Sequence, residues 1–262
     1  SGTTTIGADS SVTSGSVTFS GPVTLQDVQA GTQETKTLRV TSSTSSDLGV
    51  ILSGLVSEAD SGMTASDDVL SLLKTGTGTA TLTAANTFTG GVTVDQGTLL
   101  VNNTTGSGTG SGAVAVNGAA TLGGTGTLAG DTTVLGQLRP GSPVVNDGVG
   151  TLNFAGDLNL GAGSSTFFTL TGNGVNDMFI VAPGSELFVD PTASFVVELG
   201  SGYTPMQGDS FNLFDWTTLA AGSDMDWNGQ ITLPGTVSWN IALLNTQGIV
   251  SVVPVVLMRS TT

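Results

Sequence analysis

Leu73–Gly141 reads LKTGTGTATLTAANTFTGGVTVDQGTLLVNNTTGSGTGSGAVAVNGAATLGGTGTLAGDTTVLGQLRPG. Gly and Thr dominate it, its charged residues are Lys74, Asp95, Asp131 and Arg139, and Phe88 is its one aromatic. Short apolar–polar alternations recur at Val92–Val94, Ala113–Val116, Ala120–Leu122 and Thr132–Val134. Period two is the signature of a strand with one face buried. Each alternation is closed by Gly or Asn, residues that turn the backbone where others are strained. Many short strands between tight corners predict an all-β fold with a parallel β-solenoid (β-helix) core, whose inward side chains stack from rung to rung. The expected inward set is Leu82, Val92, Val94, Leu99, Val101, Val114, Val116, Leu122, Leu128, Val134 and Leu138. The intervening Thr residues, β-branched and soluble, suit the outer face. Asn86, Asn102, Asn103 and Asn117 fall where corners are expected, and Asn tolerates the left-handed region. No regular repeat length emerges, so the rung number stays open. The competing reading is an antiparallel sandwich, because Asn117-Gly118 is also a good hairpin turn.

Outward from this stretch, the chain divides into three parts: an N-terminal β region over 1–72, the solenoid over 73–141, and an aromatic-rich β region over 142–262. Ser16–Phe19, Val23–Leu25 and Lys36–Thr41 alternate as strands, and Ser42–Ser46 reads as a polar turn. Leu48–Val56, broken by Gly49 and Gly54, fits a buried strand pair. Asp67–Lys74 can be read as one or two helical turns with Ser66 as N-cap, or as a core strand; its strand-like neighbours favour the strand. The last part holds most of the aromatics, among them Trp216, Trp227, Trp239 and Tyr203. Alternating segments from Thr151–Leu160 to Ile249–Val253 predict the solenoid merging into a β-sandwich-like C-terminal part with a wider core.

Bulk composition narrows the function. The 262 residues carry 20 acids against 5 bases, a net charge of −15. No basic face exists to release counterions from nucleic acid, and an anionic membrane surface is disfavoured for the same reason. Hydrophobic content is 38%, charged content is 10% and mean hydropathy is +0.27, which is the composition of a chain that folds. Cys and His are both absent, so disulfides, thiol chemistry, the usual zinc sites and any His-based dyad are excluded. The acids are scattered, apart from Asp67-Asp68 and the Asp224/Asp226 pair, and read as dispersed solubilising charge. The chain begins at Ser1, from which removal of an N-terminal signal is expected. No run approaches the ~20 apolar residues of a membrane helix.

No catalytic constellation follows from the residues. There is no G-x-S-x-G elbow, and a Ser/Lys dyad would have to use Lys36 or Lys74. Paired carboxylates for glycoside cleavage would have to come from Asp95 and Asp131, with Arg139 as the cation. Gly106–Gly112 is glycine-rich but lacks the lysine of a phosphate loop, so it reads as a solenoid corner. Gly123–Gly130 lacks the aspartate of a calcium loop, Asp131 coming just after it. Trp216, Trp227 and Trp239 could form a sugar platform, although core packing is the simpler role. No catalytic residue, cofactor or metal is expected.

Lys74, Gly76, Gly78, Leu82, Asn86, Phe88, Gly90, Gly91, Gly97, Leu99 and Val101 fit the pattern K-x-G-x-G-x-L-x-L-x-x-x-N-x-[YF]-x-G-G-x-x-V-x-x-G-x-L-x-V, with Ala80 in place of the first Leu. On these residues, 74–101 closely resembles the autotransporter-associated β-strand repeat. The continuation to Gln137-Leu138-Arg139-Pro140-Gly141-Ser142-Pro143 is similar to that family's usual G-x-L-x-P-G-x-S-P. Phe211–Trp216, Ile231–Pro234 and Ser238–Asn240, ahead of Gly248–Val253, look like surface and secreted proteins of planctomycetes and verrucomicrobia. The resemblance implies a secreted or surface-displayed, passenger-like structure and no enzyme. It makes Lys74 a structural lysine. No translocator barrel follows the repeat, and Val253–Arg259 is no sorting helix of membrane length.

The termini then carry the functional expectation. Ile249–Met258 is apolar, β-branched and nearly uncharged, an edge that must be covered. Ser1–Ser20 is an extendable Ser/Thr-rich arm. These features predict a subunit that polymerises with copies of itself by terminal strand addition into an extracellular filament or layer, with neither nucleic acid nor membrane insertion involved. The alternatives are an adhesin-like module binding glycans and a solenoid carbohydrate-active enzyme.

Overall fold

The computed structural model describes residues 2–7, 16–26, 35–41, 49–59, 69–142, 148–223 and 227–254. The readings of Ser42–Ser46, Asp67-Asp68, Asp224/Asp226 and Val255–Met258 lie outside the described residues.

Parallel pairing organises the chain. The first sheet takes Gly2–Gly7, Thr35–Thr41, Val69–Thr75, Val92–Val94, Val114–Val116, Thr132–Val134, Leu158–Leu160, Glu186–Val189 and Thr218–Leu219 in sequence order. The second takes the strand that follows each of these, from Ser16–Phe19 through Thr79–Leu82, Gly97–Val101, Ala120–Gly124, Gln137–Pro140, Ser165–Gly172 and Ser194–Leu199 to Ile231–Thr232. A third side carries Val23–Gln26 against Val56–Ala59 early in the chain, and Thr127–Leu128, Thr151–Phe154, Met178–Val181 and Phe214–Asp215 later. Each circuit of first, second and third side is one rung of a β-solenoid.

Register places the core. Val40, Lys74, Val94, Val116, Val134, Leu160 and Val189 form one column of the first sheet. All seven are buried. The alternation buried–half-buried–buried in the three-residue strands is what period two dictates when one face meets the interior. All eleven expected inward residues are buried at 2% exposure or less. The path length around a rung is not constant: Val94 pairs with Val116 and Val116 with Val134, unequal steps, and the step from Leu38 to its partner Leu72 is longer than either. Strands and corners both vary in length while the inward register is kept, which is why no fixed repeat shows in the sequence.

Parallel register replaces the sandwich reading. Asn117-Gly118 is a corner rather than a hairpin: Ala120 N–H closes it onto Asn117 C=O at 2.9 Å, and the strands on either side join different sheets. Val69–Thr75 is a strand, as its neighbours implied. The first two sheets run on without interruption past residues 72 and 141, and parallel pairing reaches Val196 and Thr232. Apart from the isolated antiparallel bridges Gly124–Gly141 and Ser142–Gly148, antiparallel pairing is confined, among the described strands, to the hairpin of Ser165–Gly172 with Val175–Asn176 and to a three-stranded sheet of Ser210–Asn212, Ile249–Val253 and Ser238–Asn240. The only helices among the described residues are the four-residue turns Trp227–Gln230 and Leu244–Gln247.

The late rungs hold larger side chains. Phe154, Phe168, Phe179, Phe195 and Phe214 are buried at 1% exposure or less. Phe179 stacks on Phe214 at 5.2 Å between ring centroids, their strands being direct neighbours. Phe154 meets Phe179 edge-on at 6.3 Å. Such pairs add roughly 0.5–1.5 kcal/mol beyond area burial.

Candidate functional site

The repeat stretch is built around a buried cation. Lys74 occupies an inward position between Val40 and Val94, so its side chain is fully buried. Its ammonium turns to the corner and donates to Thr75 O at 2.9 Å, Gly76 O at 2.7 Å and Gln96 O at 3.0 Å. All three donor positions of an ammonium are thereby used. Burial pulls the Lys74 pKa down to about 8. The group staples its own corner to the next rung, which is a structural role.

The corner asparagines act through their side chains. Asn86 accepts from Val56 N at 2.8 Å and donates to Gly108 O at 2.6 Å, bridging the rungs on either side. Asn103 donates to Thr105 O and Gly106 O and accepts from Thr127 N at 3.0 Å. Asn117 donates to Asp95 at 2.9 Å. The left-handed corners belong to glycines instead. Gly110 sits at φ +69°, and a Cβ there would lie 2.0 Å from Phe88 O. Gly106–Gly112 is thus a corner pressed against the rung below it.

The expected enzymatic candidates do not converge. Asp95 follows the strand Val92–Val94, whereas Asp131 precedes Thr132–Val134, at the opposite end of a strand two rungs away. Arg139 lies on the second sheet. Asp131 instead begins a ladder that the sequence reading missed. Asp131 accepts the N–H of Asp157 at 3.0 Å, and Asp157 accepts the N–H of Glu186 at 2.8 Å. Asp131 and Asp157 each stand immediately before a short strand and Glu186 stands at the start of one, and that shared position is the signal that could have found the ladder.

Arg139 donates from Nε to the Gln137 side-chain oxygen at 3.3 Å, and its further partners come from beyond residue 141. Its guanidinium lies 3.5 Å over the Phe167 ring and reaches Glu198 at 3.2 Å. Asp177 sits nearby, 5% exposed, accepting from Thr169 N at 2.8 Å and Gly150 N at 2.9 Å. Burial pushes the Asp177 carboxyl up to about 6, against the opposing pull of the Thr169 and Gly150 hydrogen bonds and of Arg139. These residues enclose about 20 Å³, room for one water and no substrate. The cluster ties the hairpin back onto the solenoid wall.

Trp216 and Trp239 are half-buried. Trp216 packs on Phe214 at 5.2 Å, while Trp239 packs on Phe211 at 6.0 Å and donates its indole N–H to Pro234 O at 2.9 Å. They serve core packing; the Trp227 side chain lies outside the described residues. A larger depression of about 380 Å³ opens where the solenoid meets the antiparallel sheet, lined by Thr151, Gly174, Asn176, Met178, Ser210, Asn212 and Ile249. Among the described residues no three acids stand together as metal ligands, and no helix is long and apolar enough to cross a membrane.

No curated protein matches the chain. Residues 72–101, the rung built on Lys74, Asn86 and Phe88, match the family model of the passenger-associated-transport-repeat, the kind of repeat that the sequence resembles.

Proposed function

We propose that this chain is a non-enzymatic, extracellular structural module of the passenger type that associates with copies of itself through the N-terminal end of its sheets. A passenger-type repeat implies export to the cell surface or beyond. The observation that carries self-association is the inequality of the two ends. The N-terminal strand of the first sheet, Gly2–Gly7, is six residues long and pairs, among the described residues, with Thr35–Thr41 alone. At the other end the sheets finish in the two-residue strands Thr218–Leu219 and Ile231–Thr232. A long edge is a template for a further strand, and a very short one is a stop. Thr3, Thr4 and Thr5 are exposed on that edge.

The polar side chains on the rungs support a structural role. Lys74, Asn86, Asn103, Asp131 and Asp157 each make at least one hydrogen bond to a backbone group of a neighbouring rung. The experiment is light scattering across a concentration series, with Thr4→Pro and Thr5→Pro tested singly, since one of two adjacent N–H groups faces the edge. Association that rises with concentration and is lost in one of the two variants supports the proposal. Monomers at every concentration, or association equal in both variants and wild type, would sink it.

A further inference from the structure

We infer that the depression between the solenoid wall and the C-terminal antiparallel sheet is a binding site for a neutral saccharide. This does not rest on self-association, and the two can fail separately.

Three pieces of structure converge there. Thr151 and Met178 are direct neighbours at the start of their strands on the third side. Gly174 and Asn176 come from the hairpin that folds back from the second sheet. Asn212 and Ile249 are a pair in the antiparallel sheet, and Ser210 begins the same strand as Asn212. The volume, about 380 Å³, falls in the range of small-ligand sites, about 300–1,000 Å³.

The walls are fixed before any ligand arrives. Asn173 accepts the Ser210 N–H at 3.0 Å, the Gly174 N–H meets Ser210 O at 3.1 Å, and the Asn176 amide donates to Asn212 O at 2.6 Å. Leu213 N–H bonds to Gly248 O at 2.9 Å, and Met178 N–H to Gly150 O at 3.0 Å. Hairpin, wall and sheet are locked together, so binding costs little ordering of the protein.

The lining chooses the ligand class. Two hydroxyls, Thr151 and Ser210, both donate and accept, and the Asn176 side-chain oxygen is an acceptor besides. Met178 and Ile249 supply an apolar surface for C–H faces. Among the described residues no ionisable side chain lines the depression. The acids near it in sequence face other partners: Asp177 holds Thr169 and Gly150, Asp209 holds Tyr203 and Met206, and Asp215 holds Asn212. A cation finds no counter-charge in the lining, and an anion is opposed by the field of a chain at −15. What fits is uncharged, rich in hydroxyls and apolar on one face.

The test is a panel of neutral and uronic oligosaccharides on an array, followed by titration calorimetry of any that bind. Ser210→Trp fills the depression from an exposed position, and Thr151→Val removes one hydroxyl at constant shape, with circular dichroism reporting folding. The expected result is a neutral saccharide bound with a Kd of about 0.1–1 mM, weakened at least ~10-fold by Ser210→Trp and ~3–10-fold by Thr151→Val. If Ser210→Trp misfolds, the Thr151→Val loss alone decides. No neutral saccharide bound at about 10 mM, preference for uronic acids, or binding indifferent to a folded variant overturns the proposal.

Discussion

Replacing Lys74 by Met tests whether the repeat's lysine is a staple across rungs. Met fills the inward column between Val40 and Val94 but offers nothing to the carbonyls of Thr75, Gly76 and Gln96. The three carbonyls lie in part-buried surroundings, so each left without its partner costs about 1–2 kcal/mol, the low end for such groups. Against this stands the desolvation that the variant no longer suffers: lowering a pKa from 10.5 to about 8 corresponds to roughly 3 kcal/mol at about 1.36 kcal/mol per pH unit. The first effect wins narrowly, so Lys74→Met should lose about 1–3 kcal/mol at pH 7. The pH dependence is the sharper reading. Between pH 8 and 10.5 the unfolded lysine holds a proton that the folded one has released, so wild-type stability rises with pH through this window. The variant lacks that group, and its deficit should widen by about 3 kcal/mol between pH 7 and 10.5. Urea unfolding followed by circular dichroism at several pH values measures the difference, in which all other titrations cancel. A deficit that stays constant, or a variant as stable as wild type at pH 7, refutes the reasoning.

Asp177 should show the opposite slope. Its folded pKa of about 6 exceeds the unfolded 3.8, so its contribution to stability falls as pH rises from 3.8 to 6, by roughly 3 kcal/mol relative to Asp177→Asn; urea midpoints at pH 4 and pH 7 check this. Asn86→Leu leaves Val56 N–H and Gly108 C=O without their partner and should cost about 2–4 kcal/mol, read as a lowered unfolding midpoint and faster amide exchange at Val56. Gly110→Ala combines a left-handed backbone, about 1–2 kcal/mol, with a Cβ set 2.0 Å from Phe88 O, so a loss above about 2 kcal/mol is expected in thermal unfolding.

The inward column was legible in the sequence because period two survives even in three-residue strands such as Val92–Val94 and Thr132–Val134. The rung count was not, because the steps from Leu38 to Leu72, from Val94 to Val116 and from Val116 to Val134 all differ in length and leave no period to find. Lys74 was legible as structural only through the repeat pattern; in isolation a lysine between Leu73 and Thr75 gives no sign that it points inward. The partners of Arg139 were hidden for a geometric reason. Phe167 and Glu198 lie one and two strands away on the same sheet but far along the chain, so only the register unites them. Asn117-Gly118 misleads locally, since the same dipeptide serves a hairpin and a corner, and only the pairing partner of the next strand tells them apart.

A stacked fold of this kind has stability that adds rung by rung, each unit depending on its neighbours alone. The side-chain staples are therefore placed where they matter most, between rungs: Lys74 to Gln96, Asn86 to Val56 and Gly108, Asp131 to Asp157, and Asp157 to Glu186. Side chains used in this way hold the rungs together, and the two ends of the stack differ from its middle. There the molecule is asymmetric, with a six-residue edge at one end, and two-residue strands and an antiparallel sheet at the other. The proposed saccharide site lies where parallel stacking gives way to antiparallel pairing, because a change of sheet direction leaves a gap that continuous rungs do not. A stack of rungs between the proposed self-association edge and the proposed saccharide junction would keep the two activities physically apart, so substitution at one should leave the other undisturbed.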